Sequence, residues 1–189
     1  MDIPFPSGRP LGILAAIAVA AGACDNPLAL SPARFDNTTD TTVIYALRGT
    51  DIALPSGFDM SRDQPARTDR AEPFDFAFDI EDSGRAVLLS ADILGVVTGA
   101  GILVVDDSFE GVTSAPLDGY VVDSVVVVTQ GTVFVARSRG ISCSLLGTLP
   151  LYGKFRVLGI DPLLRALTIE KLVDINCGYR GLEPGLPSS

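Results

Sequence analysis

Apolar and polar residues alternate with a period of two over residues 74–80, where Phe74, Phe76, Phe78 and Ile80 are interleaved with Asp75, Ala77 and Asp79. A pleated strand sends successive side chains to opposite faces, so this spacing predicts a strand with its aromatic rings in a core and Asp75 and Asp79 in solvent. Asp82-Ser83-Gly84-Arg85 then has turn chemistry, and residues 86–90 are expected to return as the second strand of a hairpin. The same logic predicts another hairpin further on. Residues 120–128 (YVVDSVVVV) and 132–138 (TVFVARS) flank Thr129-Gln130-Gly131, a connection short enough for antiparallel pairing. Residues 43–48 and 102–106 are shorter strand candidates.

The C-terminal third admits two readings. Asp161-Pro162 has the form of an N-cap followed by proline at the first helical position, opening a helix through Leu163, Leu164 and Leu167. The competing reading pairs residues 154–160 with 166–176, in which Leu167, Ile169, Val173, Ile175 and Cys177 share one parity and Lys171 is the exception. The alternation runs longer than the helical match and favours the hairpin. Val121, Val122, Val125, Val126, Val127 and Val128 predict a strand covered on both faces, as a central strand or as the wall of a hydrophobic cavity. Gly95, Gly99 and Gly101 do not form a dinucleotide fingerprint and mark a turn or bulge. Taken together, the chain reads as an all-β domain over residues 42–178, an antiparallel sandwich built from hairpins, with a small barrel as the alternative.

Residues 11–23 (LGILAAIAVAAGA) are apolar without interruption and end in small side chains. That run is short for a bilayer span and fits the hydrophobic region of a secretory signal over residues 1–23. Ala21-Gly22-Ala23-Cys24 resembles the lipobox of bacterial lipoproteins. The resemblance covers the signal alone and implies that Cys24 is diacylated through sulfur, becomes the first mature residue and anchors the chain to a membrane. The other reading is an ordinary signal cleaved after Ala21-Gly22-Ala23, giving a secreted soluble protein. Residues 24–41 are polar and carry Pro27 and Pro32, which predicts a flexible tether. Residues 179–189 hold Gly and Pro too often for regular structure and predict a loose tail.

With three cysteines, an exported chain keeps one over. Acylation of Cys24 accounts for it and leaves Cys143 and Cys177 to form a disulfide, the alternative being two buried thiols. Closing that loop stabilises by about 3–4 kcal/mol in the chain-entropy model.

Charge and composition then narrow the function classes. Fourteen Lys and Arg against twenty-three Asp and Glu give a net charge of −9, which argues against nucleic acid or an anionic membrane surface as a partner. The absence of His and Trp removes Ser-His-Asp and Cys-His catalysis and His-ligated metals. Candidate cation ligands are Asp79, Glu81 and Asp82, whose spacing is not that of an EF-hand and whose plain reading is outward strand charge and a turn carboxylate. Asp106, Asp107 and Glu110 form a second acidic cluster, and Ser142 and Ser144 flank Cys143 in a loop. The only amines available as bases are Lys154 and Lys171. Residues 57–73 are the longest polar stretch of the domain, a solvated loop in which Arg62, Arg67 and Arg70 offer an anion-docking reading against interleaved carboxylates. No cofactor and no catalytic residue are assigned. The leading expectation is a non-catalytic interaction or structural role at a cell-envelope membrane, with an unidentified protein partner. Its rivals are a carrier of a hydrophobic ligand and a carboxylate-dependent hydrolase.

Overall fold

The computed structural model describes residues 32–96 and 98–187, with Met1 and Leu30. The proposed signal, Cys24 and the first part of the tether lie outside the described residues. Ten strands are formed: β1 (Thr39–Tyr45), β2 (Gly57–Asp59), β3 (Gln64–Ala66), β4 (Phe76–Ile80), β5 (Ala86–Ser90), β6 (Gly101–Val105), β7 (Val126–Val127), β8 (Val133–Ser142), β9 (Thr148–Asp161) and β10 (Ala166–Asp174). They build two five-stranded antiparallel sheets, in the orders β1-β10-β9-β8-β6 and β3-β2-β4-β5-β7, which do not close into a barrel. The architecture is the expected all-β sandwich.

Between the sheets, Phe58 and Phe76 from one layer meet Phe134 and Phe155 from the other. Phe134 stacks on Phe155 at 5.0 Å, and Phe76 stands edge-on to Phe155 at 5.3 Å. Offset and edge-to-face contacts are the favoured geometries of aromatic quadrupoles. Ile44, Leu88, Ile102, Leu167 and Ile169 complete the layer. The inter-sheet space that a ligand carrier would reserve for cargo is thus occupied by side chains.

The predicted hairpin of β4 and β5 forms, with Phe78 opposite Leu88. Its faces differ from expectation, because Asp75 and Asp79 are buried. Asp79 receives Arg48 Nε at 2.6 Å, and Asp75 accepts the Met60 and Arg139 N–H groups. A two-residue period identifies faces, but it does not reveal that a distant arginine covers the polar one.

The second predicted hairpin is not formed. β7 pairs with Val87 and Leu88 of β5, while β8 pairs with β6 and β9. Thr129-Gln130-Gly131 therefore crosses from one sheet to the other, with Gly131 at φ 89° and its N–H bonded to Val157 O. Val126 and Val128 are buried while Val125 and Val127 are exposed, so the valine run has one apolar face inside and lines no cavity.

β9 and β10 form the favoured hairpin, with Leu167 opposite Ile160 and a bulge that leaves Leu158 unpaired between Thr168 and Ile169. The apparent N-cap serves the turn instead, since Asp161 Oδ1 accepts the Leu163 and Leu164 N–H groups. Lys171, the exception to the apolar parity, is indeed inside and meets Asp63 at 2.7 Å. Cys143 and Cys177 are disulfide-bonded across 5.7 Å between Cα atoms, joining the loops that follow β8 and β10.

Two boundaries and one loop are corrected. The later part of the predicted tether belongs to the fold: β1 starts at Thr39, Asn37 exchanges backbone bonds with Gly185, and Asn176 clamps the main chain of Arg34 and Phe35. The predicted loose tail is its partner, with Tyr179 and Leu182 buried. Two irregular segments satisfy each other's backbone groups here, a pairing with no sequence period. Residues 57–73 are likewise ordered, containing β2 and β3. Their arginines face local carboxylates, Arg67 with Asp69 at 2.7 Å, Arg62 with Asp59 at 3.6 Å and Arg70 with Glu72 at 4.0 Å.

Candidate functional site

The outer face of the first sheet carries ionisable side chains drawn from three neighbouring strands. Alternation along β9 sends Tyr152, Lys154 and Arg156 to that face, where the register sets them beside Asp174, Leu172 and Glu170 of β10 and Arg137, Val135 and Val133 of β8. Left bare, this face would be half apolar and half charged. Residues 106–120 and the C-terminal segment cover it instead, packing Phe109, Val112, Ala115 and Leu182 against Val133, Val135, Tyr152 and Leu172. The two covering segments bond each other, Leu182 N–H to Thr113 O and Ala115 N–H to Arg180 O.

Under this cover Lys154 is 2% exposed. Its Nζ donates to Val112 O at 3.0 Å and stands 4.6 Å from the centre of the Phe109 ring. Among the described residues its ammonium has no carboxylate ion-pair partner, unlike Lys171. Burial holds its pKa below the ordinary lysine range, opposed by the more distant charges of Glu110, Glu183 and Glu170. Arg156 takes up two of those glutamates, reaching Glu170 through Nε at 2.8 Å and Glu110 through Nη2 at 3.2 Å, with its guanidinium over the same Phe109 ring. A cavity of about 210 Å³ opens here, lined by Thr39, Phe109, Glu110, Lys154, Glu170, Glu183 and Pro184.

One strand pair along, Asp174 is buried and accepts the Asn176 N–H and amide groups through Oδ1. Burial pushes its pKa up. Asp174 Oδ2 and Asn37 Oδ1 are buried without a hydrogen-bond partner among the described residues. A proton on Asp174 makes its Oδ2 a donor as well as an acceptor.

Asp75 and Asp63 are also raised, in both cases chiefly by burial. A carboxyl whose folded pKa exceeds its unfolded value adds stability that is complete below the unfolded pKa and is lost as pH rises through the folded one. The unfolding free energy from urea titration is therefore expected to decline as pH rises from about 4 towards neutrality. Asp174→Asn, which keeps the shape and cannot titrate, should flatten that slope. A variant as pH-dependent as the parent would show that Asp174 is not protonated in the fold.

The residues singled out from sequence do not converge. Asp79 serves Arg48, Glu81 serves Arg85 at 2.7 Å, and Asp82 projects into solvent 3.9 Å from Arg48. Asp107 caps its own loop through Ser108 N–H, Asp106 is exposed beside it, and Glu110 lies apart, on Arg156. Ser142 and Ser144 flank the disulfide. Lys154 was visible only as one of two lysines in a strand. Its burial depends on Phe109 and Val112, more than forty positions away.

Comparison of the chain with protein-family models, with curated proteins and with solved structures gives no match.

Proposed function

We propose that this chain is an exported lipoprotein, held through Cys24 to a membrane of the bacterial cell envelope, whose sandwich is a non-catalytic interaction module. The observation that carries the proposal is the placement of apolar surface at one end of the sandwich. Leu163 and Leu164, in the β9–β10 turn, are 93% and 66% exposed. Covering a leucine fully contributes about 1.5–3 kcal/mol, so two on one turn form a binding anchor in search of a pocket.

The turn is rigid. Asp161 caps it, Arg165 sits at φ 51°, and the Arg165 guanidinium donates to Arg48 O at 2.7 Å and Ile80 O at 2.5 Å. Gly49 leaves room for that guanidinium, because a Cβ there would meet Nε at 2.8 Å. Rigid presentation lowers the entropy lost on binding.

Orientation supports the same reading. β1 leaves the N-terminal segment at Thr39 and reaches the level of the turn at Tyr45, opposite Ala166. An anchor upstream of residue 32 therefore attaches at the end of the sandwich opposite to Leu163 and Leu164, and the leucines face away from the membrane. Asp82 and Asp161 are exposed at the leucine end together with Arg48 and Arg85, so the fitting partner is a protein with an apolar cleft and a rim of mixed charge.

Two measurements test the proposal. Cys24→Ser is expected to move the protein from the membrane fraction to the soluble one, and unchanged fractionation would refute the anchor. A photo-crosslinking residue at Leu163 of the anchored chain is expected to give a discrete adduct in cells, with none from the same residue at exposed Asp118. Equal or absent adducts at both positions would remove the interaction role.

A further inference from the structure

We propose that Lys154 is a nucleophilic amine that captures a small uncharged aldehyde in the cavity beneath residues 106–120. The proposal is independent of the membrane anchor and of the leucine turn. It rests on three features of the site.

The first is a lysine that is almost wholly buried and, among the described residues, has no carboxylate in ion-pair contact. Lys154 Nζ has one hydrogen-bond acceptor, Val112 O, and one aromatic face, Phe109, for three possible donors. A buried ammonium without a carboxylate is costly, and release of its proton removes the cost while leaving a lone pair on nitrogen. Burial lowers its pKa from the ordinary lysine value, the direction that eases release of the proton. The second feature is access, since Lys154 lines a cavity of about 210 Å³, room for a few non-hydrogen atoms. The third is the charge of the rim. Glu110, Glu170 and Glu183 repel an anion, with Arg156 set against them. The Phe109 ring and Pro184 give the cavity apolar contacts, which suit an uncharged carbonyl compound over a hydrated cation.

In the step itself, the Nζ lone pair forms a C–N bond to the carbonyl carbon while the C=O π pair moves to oxygen. Proton transfer from nitrogen to oxygen gives a carbinolamine. Loss of the hydroxyl with the second nitrogen proton releases water and leaves the imine. Amine plus aldehyde become imine plus water, with no change in oxidation state. The outcome is reversible covalent capture, which needs no turnover.

The chain offers a clean test because it has two lysines, and the second is buried in an ion pair with Asp63. The folded protein is treated with propanal and cyanoborohydride at neutral pH, and the modified positions are mapped by peptide mass spectrometry. Lys154 is expected to be alkylated roughly tenfold or more faster than Lys171, with a rate that levels off at a pH below the ordinary lysine range. Lys154→Arg, which retains a donor for Val112 O and a cation for Phe109, should melt like the parent and lose that label. Equal modification of both lysines, or label confined to the α-amine, would overturn the proposal whether or not the arginine variant folds.

Discussion

Replacing Arg139 by alanine is expected to cost about 3–5 kcal/mol of folding stability, among the largest losses available from a single residue outside the apolar core. Asp59 and Asp75 are 0% and 1% exposed, and one guanidinium serves both. Arg139 Nη2 reaches Asp59 Oδ1 at 2.8 Å and Nη1 reaches Asp75 Oδ2 at 3.0 Å, while Nη2 also donates to Ser61 Oγ at 2.7 Å. Arg139 is on β8 and the two aspartates belong to the opposite layer, so this cluster rivets one sheet to the other. Removing the cation leaves Asp75 with the backbone N–H groups of residues 60 and 139 and Asp59 with Ser61 and Arg62, and takes away the shared ion pair of two buried carboxylates. Asp75, already raised in pKa chiefly by burial, will then retain a proton to higher pH. The deficit should accordingly be larger in urea titrations near neutrality than under mild acid. A variant whose midpoint matches the parent at both pH values would mean that solvent replaces the guanidinium and that the cluster joins nothing.

Phe155→Ala is expected to cost a similar amount, about 3–5 kcal/mol, by a different mechanism. Its ring lies 5.5 Å from Phe58, 5.3 Å from Phe76 and 5.0 Å from Phe134, so truncation empties the middle of the inter-sheet layer. Three neighbouring rings lose their contacts at once, and rigid strands on both sides limit collapse into the gap. The loss should be insensitive to pH, in contrast to Arg139→Ala. Phe35→Ala, at an exposed position, is the control and should leave the melting temperature nearly unchanged. Equal effects of the two alanines would place the core elsewhere.

These two sites also show what the sequence revealed. Phe76 and Phe78 announced themselves by alternation, and the hairpins β4–β5 and β9–β10 followed from turns a few residues long. The disulfide followed from cysteine arithmetic. Asp75 was placed inside the strand and in solvent, whereas it stands just before β4 and is buried, because its partner Arg139 is 64 positions away. Asn37 and Glu183, 146 positions apart, are bonded between segments that show no period at all. Thr129-Gln130-Gly131 has hairpin chemistry yet changes sheets, and the difference is set by where Val126 and Val128 find apolar cover. Lys154 belongs to the same class. The sequence placed it in a strand, and only the folded position of residues 106–120 decided that it would be sealed in. Local chemistry was legible, then, and the ionic and covering contacts that close over long sequence distances were not.

The arrangement of β1 and β10 has a mechanical consequence. β1 begins at the end that receives the N-terminal segment, whereas β10 begins at the leucine turn, and the two run antiparallel through seven paired positions. A pull applied between the N-terminal segment and that turn draws the strands past each other along their length. The backbone bonds of the ladder then bear the force together instead of parting one at a time, as they would if peeled from an end. Asn37 and Asn176 take the first strain, and Cys177 ties the far end of β10 to β8 covalently. The sandwich is thus strongest along the line that joins its N-terminal segment to its exposed leucines.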